Sequence, residues 1–136
     1  MASVREDGEL GAGIDEVWKV VGDFAGFVEA MGIPVETDGE GVGSTRTIAM
    51  GGSSTIERLE SLDNDSKTLQ YSLIQGPLPV ENYLSTMQLS PIGDSRTRIE
   101  WSSEFDAAGI SDADAIEAIR GIYKGGIAGL QARFGA

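Results

Sequence analysis

Two absences define the chemistry open to this 136-residue chain: it has no histidine and no cysteine. That removes the usual neutral-pH general base, thiolate nucleophiles, disulfides, zinc-thiolate sites and every Ser-His-Asp or Cys-His arrangement. Carboxylate, tyrosine, arginine, lysine and serine remain. Many of these lie in runs that alternate with period two. Arg96 to Phe105 is the most legible. Thr97, Ile99, Trp101, Ser103 and Phe105 share one face, and Arg96, Arg98, Glu100, Ser102 and Glu104 share the other, which must meet solvent. In Asn82 to Leu89, one face carries Tyr83, Ser85, Met87 and Leu89. In Lys67 to Ile74 it carries Leu69, Tyr71 and Leu73, and before Gly51-Gly52 it carries Arg46, Ile48 and Met50.

These inner faces mix Trp, Tyr, Met and aliphatic side chains with Ser, Thr and Arg. One reading is a core whose tyrosines are satisfied, since each buried hydroxyl needs a partner. The other is a ligand pocket, with apolar walls and a few polar groups. The run Thr55 to Leu62 is ambiguous. One phase groups Thr55, Glu57, Leu59 and Ser61; the other groups Ile56, Arg58, Glu60 and Leu62.

The elements that must position these residues follow from the same patterns. Ile14, Val17, Trp18 and Val21 have helical spacing, with Asp15 and Glu16 in a favourable first turn. Phe24 to Met31 forms a second short helix, ended by Gly32 and Pro34. Antiparallel strands follow as a meander, with turns at Asp38 to Gly41, Asp63 to Ser66, Gly76 to Pro79 and Pro91 to Asp94. A long helix, Asp112 to Phe134, closes the chain behind Ser111 as N-cap. Ile116, Ile119, Tyr123, Ile127 and Leu130 make its apolar stripe. Gly121, Gly125, Gly126 and Gly129 interrupt it, and point either to weak spots or to close packing. Ser3 to Ala12 alternates poorly but is read as one more strand.

The net charge is −12, which disfavours nucleic acid and anionic membrane surfaces as partners. No run approaches 18 apolar residues, and the first residues lack an apolar signal region, so a cytoplasmic protein is expected. No metal is expected. Asp63-Asn64-Asp65 lacks the glycine and terminal glutamate of a calcium loop, and no cofactor is implied. Lys19, Lys67 and Lys124 fall on outer helix faces or in a turn, which argues against Schiff-base chemistry.

Three stretches carry a family resemblance. They are Gly43-Ser44-Thr45-Arg46; Ile56-Glu57-Arg58-Leu59-Glu60-Ser61-Leu62-Asp63; and Tyr71-Ser72-Leu73-Ile74 through Asn82-Tyr83-Leu84-Ser85. With Asp15-Glu16-Val17-Trp18 opening the first helix, the chain resembles the START/Bet v 1-like superfamily, above all its polyketide cyclase/dehydrase-like branch. The resemblance implies one domain over residues 1–136 with an α+β helix-grip fold. A curved antiparallel sheet of about six to seven strands would wrap the C-terminal helix, with two short helices after the first strand. It implies a cavity between sheet and helix, with Glu57 pointing inward beside Tyr71, Tyr83, Ser85 and Trp101. It implies gate loops at Gly51-Gly52-Ser53-Ser54 and Gly76-Pro77-Leu78-Pro79-Val80. The Glu-Arg-Leu-Glu segment and Asn82-Tyr83 are also similar to plant abscisic-acid receptors. The lysine those receptors carry near the second short helix is missing from Phe27-Val28-Glu29-Ala30, so hormone sensing is not implied.

Two main functions compete. The first is binding of a small, mostly hydrophobic molecule, aromatic or polyketide-like. Arg46, Glu57, Tyr71, Tyr83 and Ser85 would orient it. Ile48, Met50, Leu59, Leu73, Val80, Met87, Trp101, Ser103, Ile119, Tyr123 and Ile127 would line the site. The second is a cyclase or dehydratase with Glu57 as general acid or base, Tyr83 or Tyr71 as hydrogen-bond donor to an enolate, and Arg46 stabilising charge. Glu57 also reads as a plain structural partner of Arg46. A third reading, an interaction module or homodimer, rests on exposed-looking Leu78 and Val80.

Overall fold

The period-two runs fold as strands and the helical runs as helices. The order is β1 (Ala2–Leu10), α1 (Ile14–Val21), α2 (Phe24–Ala30), β2 (Val35–Asp38), β3 (Thr45–Met50), β4 (Ser53–Asp63), β5 (Thr68–Gln75), β6 (Val80–Ile92), β7 (Arg96–Ala107) and α3 (Asp112–Phe134). The structure is a computed structural model and describes residues 1–50 and 52–136, with only the backbone of Met50. The seven strands among the described residues make one antiparallel sheet in the order β1-β7-β6-β5-β4-β3-β2. The long helix α3 packs against it, giving the helix-grip arrangement of the α+β class. Among the described residues no helix is long and apolar enough to cross a membrane.

Sheet curvature comes from extra residues. The β4–β5 ladder shifts register between Ile56 and Glu57 and again between Leu59 and Ser61. The β6–β7 ladder shifts between Glu81 and Leu84, where Asn82 adopts a left-handed backbone with φ 53°. Such bulges bend a strand and increase its twist. They also resolve the ambiguous run. Thr55, Glu57 and Leu59 point inward; after the second bulge the phase changes, and Leu62, opposite buried Leu69, packs on the core. Neither simple alternation describes the whole strand.

The helices are held at their ends by local chemistry. Asp23 accepts from Gly26 N at 3.0 Å to cap α2, and Ser111 accepts from Asp114 N at 3.1 Å to cap α3. Trp18 Nε1 donates to Asn64 Oδ1 at 2.9 Å, tying α1 to the β4–β5 turn. On α3 the buried row is Ala115, Ile119, Tyr123, Ile127 and Leu130; Ile116, expected in it, is only half-buried because the row runs at a four-residue spacing from Ala115. The strand β1 alternates poorly because two inward positions are Glu6 and Gly8. Glu6 meets Arg120 at 3.6 Å and Lys124 at 4.0 Å on α3. A Cβ on Gly8 would come within 2.7 Å of Ile127.

Three expectations about loops are corrected. Ser53 and Ser54 are strand residues paired with Met50 and Ala49 rather than part of a loop; Gly51 lies outside the described residues. Val80 is buried and Leu78 is half-buried against the core, which removes the exposed apolar pair. Pro91 and Ile92 continue β6 opposite Thr97 and Arg96, where β6 has outrun β5 and only β7 lies beside it.

The helix glycines divide in two. A Cβ on Gly126 would collide with the Trp101 ring, and one on Gly129 would come within 2.5 Å of Met31 Sδ. Gly121 and Gly125 are exposed, with nothing within 4 Å. Gly125→Ala therefore raises stability by up to ~1 kcal/mol, while Gly126→Ala lowers it by ~1–3 kcal/mol. Urea unfolding midpoints of the two variants should move in opposite directions; movement in the same direction refutes this packing assignment.

Candidate functional site

Arg46 on β3 and Glu57 on β4 are direct cross-strand partners on the inner face. Arg46 Nε and Nη2 each lie 2.9 Å from Glu57 Oε1. Nη1 donates to the Phe24 carbonyl on α2 at 2.6 Å. The guanidinium sits between two aromatic faces, 4.0 Å from the Phe24 ring centroid and 4.9 Å from that of Tyr71. Both members of the pair are buried. Burial pushes the Glu57 carboxyl above its ordinary value, and the charge and hydrogen bond of Arg46 pull it part of the way back. Among the described residues Glu57 Oε2 accepts no hydrogen bond.

Beyond Tyr71 the polar groups form a directed chain. Ser85 Oγ donates to the Ser102 carbonyl at 3.1 Å. Its one proton is thereby used, so Tyr123 must donate to Ser85 Oγ at 3.0 Å, and Tyr83 to Tyr123 in turn. Trp101 Nε1 donates to Ser85 Oγ at 3.0 Å and to the Tyr71 hydroxyl oxygen at 3.2 Å. The Tyr71 hydroxyl also neighbours those of Ser85 and Tyr83, and the Tyr83 oxygen, which accepts from nothing else among the described residues, is open to its proton. Ser103 Oγ, beside Tyr123, is buried and has no hydrogen-bond partner. Desolvation raises all three tyrosine hydroxyls above their ordinary range, so they are neutral donors at physiological pH.

Aromatic packing fixes these groups. Trp101 stacks on Tyr123 at 4.5 Å and 17°, over the surface that Gly126 leaves free. Phe27 of α2 meets Trp101 edge-on at 5.8 Å. Thus α2 supplies two rings, Phe24 and Phe27, to the inside of the sheet.

A sequence profile described as "Polyketide cyclase / dehydrase and lipid transport" matches residues 1–135. The chain belongs to that family. Solved structures agree. A Bacillus cereus protein, XoxI, is 32% identical with a TM-score of 0.90, over 98% of this chain and 96% of its own. A Thermobifida fusca protein is 26% identical with a TM-score of 0.85, over 99% and 94%. Norcoclaurine synthase from Thalictrum flavum, solved with dopamine and hydroxybenzaldehyde, is 20% identical with a TM-score of 0.75, over 96% and 84%. At that identity it shows the shared Bet v 1-like fold. No curated protein matches the chain.

On this family fold, seven of the residues singled out in the sequence form one connected cluster: Arg46, Glu57, Tyr71, Tyr83, Ser85, Trp101 and Tyr123. Leu59, Met87, Ile119 and Ile127 are buried in the core around it, and Val80 and half-buried Leu73 pack with them. Ile48 is buried but stands outside this core cluster, opposite Val35 of β2. The Met50 side chain lies outside the described residues. Glu57 and Tyr83 make no hydrogen bond to each other; they serve different ends of the cluster. Phe24 and Phe27 went unassigned to the site, although two phenylalanines three apart on one helix face were visible. Two surface hollows lie elsewhere. One, of about 410 Å³, is on the outer sheet face around Leu84, Thr86 and Ser102; the other, of about 370 Å³, is around Arg96, Arg98 and Gln131.

Arg46→Met leaves Glu57 buried without its cation and should cost ~3–5 kcal/mol, with most of it recovered in Arg46→Met/Glu57→Leu. Chemical denaturation of both variants checks this, and an equal loss in the double variant refutes it. The raised Glu57 pKa also sets a pH slope. Between its ordinary value of 4.5 and its higher folded value, the folded state holds more protons than the unfolded one. Stability relative to Glu57→Gln should therefore fall as pH rises through that window. A relative stability that rises instead would mean that Arg46 dominates.

Proposed function

We propose that this protein binds a small, mostly hydrophobic molecule, aromatic or polyketide-like, between the sheet and α3. The observation that carries this reading is the buried cluster itself. A core selected for stability alone rarely encloses an ion pair and five side-chain hydroxyls when apolar groups of similar volume would be as stable. Side chains fill this interior, so the ligand must take space now held by rings, of which those of Phe24 and Phe27 on the seven-residue α2 are the natural candidates. The family's description, which includes cyclases, dehydrases and lipid transport, is consistent with such binding. On this reading the protein works in the cytoplasm, as a monomer or homodimer.

One observation favours a second reading, a cyclase or dehydratase. Glu57 combines a raised pKa with an oxygen that makes no hydrogen bond. Such a carboxylate can take a proton from carbon beside a carbonyl. The electron pair then moves to the carbonyl oxygen, toward a tyrosine hydroxyl.

Native mass spectrometry of the purified protein, compared with its denatured mass, tests binding. An extra mass lost on denaturation is expected, and its identity names the ligand class. A bare protein that also gives no saturable thermal shift with aromatic and lipid-like compounds ends the binding reading. If a turnover is found, Glu57→Gln should lower kcat by about 100-fold or more; an unchanged rate assigns Glu57 a purely structural role.

A further inference from the structure

On the reading that the interior is a binding site, a filled and covered interior needs a way in. The cover over the polar cluster is α2. Its Phe24 ring lies against Tyr71 at 6.1 Å, and its Phe27 ring meets Trp101 at 5.8 Å. Among the described residues one hydrogen bond joins Phe24–Ala30 to the sheet: the Phe24 carbonyl accepts from Arg46 Nη1 at 2.6 Å. The capping and turn bonds of α2 stay within residues 20–33. Everything else that holds it is side-chain packing, which has no direction and re-forms after separation.

The flanks of α2 suit a hinged motion. Gly22 joins it to α1, which stays tied to the β4–β5 turn through Trp18 and Asn64. Gly32 follows it with φ 77°, and a Cβ there would meet nothing within 4 Å. That glycine can turn without breaking any packing. The far end of α2 rests on α3 through Met31, whose Sδ occupies the space that Gly129 leaves open.

The latch can also open without stranding a charge. When α2 leaves, Arg46 loses one hydrogen bond and one ring. Glu57 and the Tyr71 face stay with it, and the N–H donors that Glu57 does not use turn to water in the opening. We propose that α2 is the door of the interior: it swings out as a unit between Gly22 and Gly32, is latched by the hydrogen bond from Arg46 to the Phe24 carbonyl, and uncovers Tyr71 and Trp101 while the sheet and α3 stay folded.

The chain has no cysteine, so Ser103→Cys gives it a single thiol on the inner face, in place of a buried hydroxyl that makes no hydrogen bond. Iodoacetamide alkylation of that thiol reports access to the interior. Hydrogen exchange at the Phe27, Met31 and Gly32 amides, all bonded within residues 23–32, reports α2. Each rate, divided by its rate in the unfolded chain, should give the same opening free energy. That opening should depend less on urea than global unfolding, followed at β6 and β7 amides. Arg46→Lys keeps a cation for Glu57 but gives up the flat fork that also reaches Phe24, and should raise both rates about tenfold or more. Met31→Ala empties the seat on Gly129, touches no part of the ion pair, and should raise both as well; it decides the matter if Arg46→Lys does not fold. Alkylation that occurs only through global unfolding overturns the proposal. So does alkylation faster than α2 exchange, or unmoved in variants whose α2 amides exchange faster, since the interior then opens elsewhere. No readout here uses a ligand. The door can therefore fail while the binding reading stands, and a failure to bind any compound leaves the measured opening as it is.

Discussion

A buried guanidinium must be neutralised and hydrogen-bonded where it lies, and in this protein that requirement organises the inside of the sheet. Arg46 meets it with three kinds of partner: a carboxylate on the next strand, a backbone carbonyl on α2, and two aromatic faces. The partners come from three elements, with Phe24 of α2 supplying both the carbonyl and one ring. The pair therefore links β3, β4, β5 and α2 through one side chain. Moving α2 alone would strip Arg46 of a hydrogen bond and one stacking face while leaving its salt bridge intact. The helix is anchored by an interaction that can be broken in part.

The outline of the fold was legible because alternation is a strong signal where one face is buried. The run Thr97 to Phe105 shows this best: each inward residue is buried, and the outward positions carry ions and hydroxyls. Legibility failed where geometry departs from simple period two. In β4 the second bulge changes the phase between Leu59 and Leu62, so two opposed patterns were each correct over part of the strand. A bulge depends on the twist the whole sheet needs, which no local window contains. In β1 the inward Glu6 and Gly8 answer to Arg120, Lys124 and Ile127, residues more than a hundred positions away.

The candidate site was legible in part for similar reasons. Tyr71, Tyr83, Ser85 and Trp101 could be placed on inner faces by counting along their strands, and Tyr123 by counting along α3. The inward direction of Glu57 was implied only by family resemblance. The contribution of α2 was missed because an apolar helix face says that something is covered, not what. Gly126 belongs with these. Its lack of a side chain lets Trp101 lie flat beside Tyr123, so a glycine that reads locally as a helix defect sets the depth at which the indole N–H reaches Tyr71 and Ser85.

The directed hydroxyl chain bears on why such an interior exists at all. Once Ser85 donates to the Ser102 carbonyl, the proton positions of Tyr123 and Tyr83 follow without freedom. A closed chain of this kind is rigid. Its oxygens still accept: that of Tyr83 stands beside the Tyr71 hydroxyl, and that of Tyr123 beside Ser103. The hydroxyl network thus ties β5, β6 and β7 to α3, while the ion pair ties β3 and β4 to α2. Both sets of contacts are directional where apolar packing is not, so together they fix one arrangement of the sheet on its helices.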